Sequence, residues 1–230
     1  MATSFAAFQR AFPPAASDRQ SLTAPAAADV VARFGVAFPP ELIEFWNVVG
    51  PGYYGDNELY FFGANDAAHD AASQTNRRDL IAWNELPLWR KILPPPCEGG
   101  PLFFAETCFG EQLGFRYDAG RCLAVLLILD TMESFLLAQD LTELFEVTLT
   151  HRFAVTDPDR YQAVRARLGR LPPNKHYAPI DFPLLGGTGD AENFRIEDPT
   201  VHLATTVAVY EAIKLLPPGT PISGINLEWE

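Results

Sequence analysis

Chemistry needs reactive side chains held close together, and the 230 residues of this chain offer few at a telling spacing. Glu106 and Glu111 flank the turn Cys108-Phe109-Gly110, so two carboxylates and a thiol fall in one short stretch. Paired carboxylates can do general acid–base work. Here no histidine or metal ligand stands at a recognisable spacing from them, and no basic residue adjoins Cys108 to lower its pKa. His69, His151, His176 and His202 are scattered, and none forms an HxxxH or HExxH pair. His202, set between Val201 and Leu203 on a helical pattern, reads as a core or capping histidine. The cysteines, Cys97, Cys108 and Cys122, are odd in number and lack CxxC spacing. Cys108 reads as an exposed thiol, and Cys122, at the head of an apolar run, as a small buried hydrophobe. Gly186-Gly187-Thr188-Gly189 has the glycines of a phosphate loop but no following Lys-Ser or Lys-Thr, so it reads as a turn. No nucleophile elbow, dinucleotide fingerprint or kinase signature is present. The residue reading therefore assigns no catalytic residue, no metal and no cofactor.

A different kind of site remains. Tyr53, Tyr54, Asp56 and Glu58 sit on a glycine-rich stretch from Pro51 to Glu58. Tyrosines beside acidic groups on a loop suit a protein interface, because aromatic anchors carry binding energy. Glu106 and Glu111 join them as candidate partner-binding residues. The formal net charge of −12 argues against direct nucleic-acid binding and favours a basic protein partner. The N-terminus lacks the charge and apolar length of a signal peptide, and no apolar run approaches a membrane span. The chain reads as cytoplasmic.

Several elements must position these residues. A helix capped by Thr23 and stopped by Gly35 turns Ala27, Val30, Val31 and Phe34 to one side. After Phe38-Pro39-Pro40, a second helix buries Leu42, Phe45, Trp46 and Val49 and stops at Gly50. Residues 58–62 form a strand, and residues 64–89 form helix plus loop ahead of a Pro94-Pro95-Pro96 break. An antiparallel meander follows over PLFFAET, EQLGFRYD and RCLAVLLILD, the last apolar on both faces and so placed centrally. Residues 133–138 add a further strand. Asp140 with Glu143 caps one helix, Asp157 with Pro158 opens another that ends at Gly169, and Asp198 caps a last one running to about Leu216. Arg160, Arg165, Arg167 and Arg170 read as a solvated face. Tyr177, Ile180, Phe182, Leu184 and Leu185 need a surface to cover, and residues 222–228 read as an edge strand. The result is one compact α+β unit. Its antiparallel sheet of about five to six strands is flanked by N-terminal and C-terminal helices, with residues 1–150 as the main domain and 151–230 as a helical extension packed on it.

The order of these elements resembles the SUKH superfamily, a cell-wall-regulator-like fold common among bacterial immunity proteins. Phe38-Pro39-Pro40-Glu41-Leu42-Ile43-Glu44-Phe45-Trp46 with its glycine break is similar to the family's opening. Phe104-Ala105-Glu106 through Gly110 to Leu113-Gly114-Phe115-Arg116-Tyr117-Asp118 is similar to its central hairpin, and Asp140 to Leu149 to the helix after the last strand. The likeness covers residues 25–150, and the stretch between Gly63 and Pro101 departs from the compact family pattern. The tail, from Leu185-Gly186-Gly187 to Val201-His202-Leu203, is similar to the end of some SUKH proteins. The opening also resembles the GAD-related immunity proteins of type VI secretion. The resemblance implies a non-enzymatic domain that occludes a cognate secreted toxin, such as a nuclease, with no catalytic residue to carry over. Two other readings stand beside it: a regulatory scaffold of the same fold, and a small-molecule enzyme with a site near Gly186-Gly187.

Overall fold

The computed structural model describes residues 5–15, 24–64, 78–217 and 220. Three helices come first. Helix α1 (Ala6–Ala11) presents Phe8 to the core, with Phe5 and Phe12 buried on either side. Helix α2 (Ala27–Phe34) buries Val30 and Phe34 and stops at Gly35, whose φ of +67° is the left-handed value glycine adopts without strain. Val31 faces solvent. The observed N-cap is Ala26, and Thr23 lies outside the described residues. Helix α3 (Pro40–Val48) begins with proline in the first turn and buries Leu42, Phe45 and Trp46.

Strands β1 (Gly52–Tyr54) and β2 (Leu59–Phe61) then form a hairpin in which Gly52 pairs with Phe61. Two short helices, α4 (Leu80–Asn84) and α5 (Trp89–Ile92), bury Trp83 and Trp89. Four strands follow: β3 (Leu102–Thr107), β4 (Gln112–Asp118), β5 (Arg121–Ile128) and β6 (Glu133–Ala138). Among the described residues, β1 to β6 make one antiparallel sheet in sequential order. The apolar strand β5 is thus second from an edge, not central, and its residues from Leu123 to Leu127 are buried on both faces.

Helices α6 (Leu141–Glu146) and α7 (Pro158–Leu168) come next, then strands β7 (His176–Pro179) and β8 (Phe194–Glu197), and finally α8 (Pro199–Ile213). Asp140, Asp157 and Asp198 each accept backbone N–H bonds in the first turn of the helix they open, as the sequence predicts. The region after residue 150 is not wholly helical: β7 and β8 pair as a small antiparallel sheet. The predicted strand at 222–228 lies outside the described residues.

Strand alternation divides the large sheet into two chemically different faces. On one, Phe61 pairs across with Ala105, and Ala105 with Leu113. This face packs on α1, α3 and α6. The Phe45 ring lies 4.5 Å from Phe61, 4.8 Å from Phe145 and 5.4 Å from Phe8. On the other face the row runs Tyr53, Tyr60, Glu106, Gln112, Leu127. That row is polar at its centre, and the C-terminal elements close over it.

Candidate functional site

The β3–β4 turn carries the reactive-looking residues into a second, smaller core. Cys108 and Phe109 pack there with Tyr161 and Val164 of α7, Leu171, Tyr177 of β7 and Phe194 of β8. Two backbone bonds tie the turn down: Cys108 N–H donates to Glu58 O at 2.8 Å, and Tyr177 N–H donates to Cys108 O at 2.8 Å. Cys108 is therefore buried, which corrects its reading as an exposed thiol, and burial pushes that thiol well above its usual value. Cys97 is the exposed cysteine, and Cys122 is half-buried.

The tyrosine loop is corrected as well. Tyr53 and Tyr54 are buried, because adjacent residues of a strand point to opposite faces of a sheet that is covered on both. Tyr54 joins the aromatic face against Phe8 and Phe61, and its hydroxyl donates to Gly50 O at 2.6 Å. Tyr53 stacks on Tyr60 with ring centroids 4.4 Å apart, and its hydroxyl accepts from Asn174 N–H. Neither is an exposed anchor.

Glu58, Glu106 and Glu111 are buried too, each with an arginine. Glu106 pairs with Arg78, Glu58 with Arg152, and Glu111 with Arg160 at 2.9 Å. Asp56 remains half-exposed, held by Arg165 at 2.5 Å and Arg170 at 2.8 Å. Arg160 also stacks on Phe109, with the guanidinium carbon 4.0 Å from the ring centroid. Burial raises the Glu111 carboxyl, while Arg160 and the Thr107 hydroxyl pull it down. The arginines expected on a solvated face of α7 thus turn back onto the sheet. Arg167 donates to Phe194 O at 2.7 Å. An isolated buried carboxylate is costly; Glu58, Glu111 and Asp56 are matched by guanidiniums from beyond residue 150, and Glu106 by Arg78 of its own lobe.

Beyond Glu106 runs a row of four titratable groups. His202 Nε2 lies 2.8 Å from Asp130 Oδ1, His176 Nδ1 lies 3.2 Å from His202 Nδ1, and His176 Nε2 lies 3.2 Å from Glu106 Oε1. The last approach is short but lacks hydrogen-bond alignment, so His176 Nε2 has no bonded partner. Burial depresses His176 well below its ordinary value, reinforced by Arg78 and His202. Gln112 completes the layer, accepting from Trp83 Nε1 at 2.7 Å and donating to Gly110 O at 2.8 Å.

An Asp–His–His–Glu row has the components of a proton relay. Both histidines are only 1 % exposed, however, so a proton held there has no open path to a bound substrate in this structure. Gly110 shows how tightly the row is packed. A Cβ at this position would lie 2.9 Å from His176 Nδ1 and 3.0 Å from His202, and its φ is +87°. Among the described residues no group of three or more His, Cys, Asp or Glu is arranged to hold a metal. The Gly186-Gly187 loop is a structural turn. Asn193 bonds Asp181 N–H, Asp181 O and Thr188 O, and a Cβ on Gly187 would strike Asp181 O.

Sequence reasoning placed His202 in the core but did not bring it together with His176, Asp130 and Arg78. These residues lie tens of positions apart, and no spacing rule links them. The one usable signal was an arginine count: four arginines near α7 and an excess of acid elsewhere invite pairing.

No family model matches the sequence, and no curated protein matches it. Among solved structures, the chain is similar to the crystal structure of Atu4351 from Agrobacterium tumefaciens, with a TM-score of 0.58 and 14 % identity over 89 % of this chain and 88 % of that one. At that identity the likeness concerns the fold alone. Among the described residues no helix is long and apolar enough to cross a membrane.

Proposed function

We propose that this chain is a non-enzymatic protein-binding module of the immunity type, which occludes a basic partner such as a secreted toxin. One observation carries the reading: where the arginines point. Arg78, Arg152, Arg160, Arg165 and Arg170 are all committed to Glu58, Glu106, Glu111 and Asp56 within the molecule. Four of the 17 basic residues, Arg152, Arg160, Arg165 and Arg170, are thereby tied up in holding the two lobes together, and Arg78 is spent inside the main one. With those pairs set aside, the other ionisable residues keep the acidic excess that gives the whole chain its net −12 at neutral pH. A surface of that kind steers and holds a basic protein. The SUKH-like order of elements supports the same conclusion, and the sealed histidine row supports a binding role over a catalytic one.

Affinity capture from the native cell, secreted proteins included, followed by calorimetric titration, tests this. The expected result is a basic protein bound one to one, its affinity falling roughly tenfold or more between low and moderate salt and its toxicity suppressed by the complex. A captured partner that is neutral or acidic, bound with no salt dependence, overturns the reading.

A further inference from the structure

The two edges of the large sheet are finished differently. Along β1 lies the segment 13–15. Gly55 N–H donates to Pro13 O at 2.9 Å, Ala15 N–H donates to Tyr53 O at 3.0 Å, and Pro14 bridges Tyr54. That edge is covered. At the other edge β5 occupies one side of β6, pairing Leu126 with Phe135, Leu127 with Ser134 and Ile128 with Glu133. Among the described residues no strand pairs with the far side of β6. The turn after α6 reaches only the strand's end, where the Thr148 hydroxyl donates to Leu137 O at 3.3 Å. Among the described residues, no strand pairs with residues 133–136 on that side.

An open edge presents unpaired N–H and C=O groups, and proteins usually blunt it with lysine or proline. Here the β5–β6 pairing shifts by one residue beyond Leu136, and the strand itself carries no lysine or proline. From Cys122 to His151 the chain contains no Lys, Arg or Pro. Phe135 and Leu136 are instead 49 % and 50 % exposed, on opposite faces by strand alternation. Glu133 on the strand and Asp140 and Glu143 just past it are exposed. Arg121, on the neighbouring strand, is 3.5 Å from Gln139.

We propose that β6 is a docking edge for an extended basic segment of a partner protein, added to the sheet as a further strand. This rests on the reading that the partner is basic. Main-chain bonds to residues 133–136 would supply affinity. Apolar side chains would cover Phe135 and Leu136, and lysines or arginines would meet the carboxylates of Glu133, Asp140 and Glu143. Charge decides between occupants. A second copy would bring the same carboxylates against their own image, on chains each carrying −12, whereas a basic strand neutralises them.

The test uses the full chain and two ten-residue peptides, one alternating lysine with valine and one alternating glutamate with valine. Binding is read by fluorescence anisotropy at low salt, and the bound site by amide hydrogen exchange. The basic peptide is expected to bind at least roughly tenfold tighter than the acidic one and to protect amides of residues 133–136. Phe135→Lys with Leu136→Lys should weaken it by roughly tenfold. Val31→Lys with Val48→Lys, the same charge change at exposed positions of α2 and α3, should change it by no more than about threefold. A Phe135→Ser with Leu136→Ser pair repeats the test without new charge. If the β6 variants bind the basic peptide as well as the original chain does, the edge proposal fails while the basic-partner reading stands. If neither peptide binds, the edge proposal also fails, and the capture experiment judges the reading on its own terms. A dimer in sedimentation that the β6 variants disperse overturns the choice of occupant.

Discussion

His176 lies between His202 and Glu106, with Arg78 beyond the carboxylate, at a place water does not reach. Its depressed folded value has a direct consequence for stability. Below about pH 6.5 the unfolded chain takes up a proton on this ring and the folded chain does not. The contribution is therefore fully present above 6.5 and is lost as the pH falls, at up to about 1.4 kcal/mol per pH unit. Glu111 acts in the opposite sense: its raised carboxyl favours folding as acid protonates it, so it offsets part of the loss nearer its own range. Urea unfolding between about pH 7.5 and 5.5 should show stability falling, and His176→Gln should flatten that slope. An unchanged slope would mean that other groups control the acid limb. None of this follows from the sequence around His176, Asn174-Lys175-His176-Tyr177, which gives no sign that another histidine 26 positions away meets it.

The elements differ in how much of each is local. Helices α6, α7 and α8 were legible to within a few residues, because an aspartate cap with a following glutamate or proline acts within one turn. The strands of the meander were legible for a similar reason, alternation and turn residues being local. Strand β1 was not: it has three residues in a glycine-rich setting and exists because 13–15 and β2 flank it. Helix α1, six residues long, is likewise held by the packing of Phe8 on Phe45, Phe61 and Tyr54 rather than by propensity. Phe45 is the keystone of that packing, fully buried and in ring contact with α1, β1, β2 and α6. Phe45→Ala should cost about 3–5 kcal/mol, measured by chemical denaturation. A cost below about 1 kcal/mol would show that the aromatic face re-packs around the cavity.

At the scale of the whole molecule, two lobes close on a layer of buried ion pairs and tyrosines, and both charge types set the limits of stability. Burial pushes the Tyr161 and Tyr177 hydroxyls up to about 12, and the Cys122 thiol up to about 11. These folded values lie above the unfolded ones, so the stability they contribute is complete below about pH 9 and is lost as the pH rises through 11 to 12. Thermal melts should move to lower temperature above about pH 10, and Tyr161→Phe with Tyr177→Phe should soften that decline at the cost of the bonds to Asp56 O and Gly169 O. By itself the sequence determined the α+β class, the meander, the capped helices and the acidic balance. Each of these is set by side chains a few residues apart or by composition. Only the tertiary structure decided what the acidic and aromatic residues do. Glu58 meets Arg152 across 94 positions, and Glu111 meets Arg160 across 49. Tyr53 and Tyr54, neighbours in sequence, go to opposite faces of a sheet covered on both sides. Register and burial make those assignments, and both come from surfaces that meet only when the chain is folded.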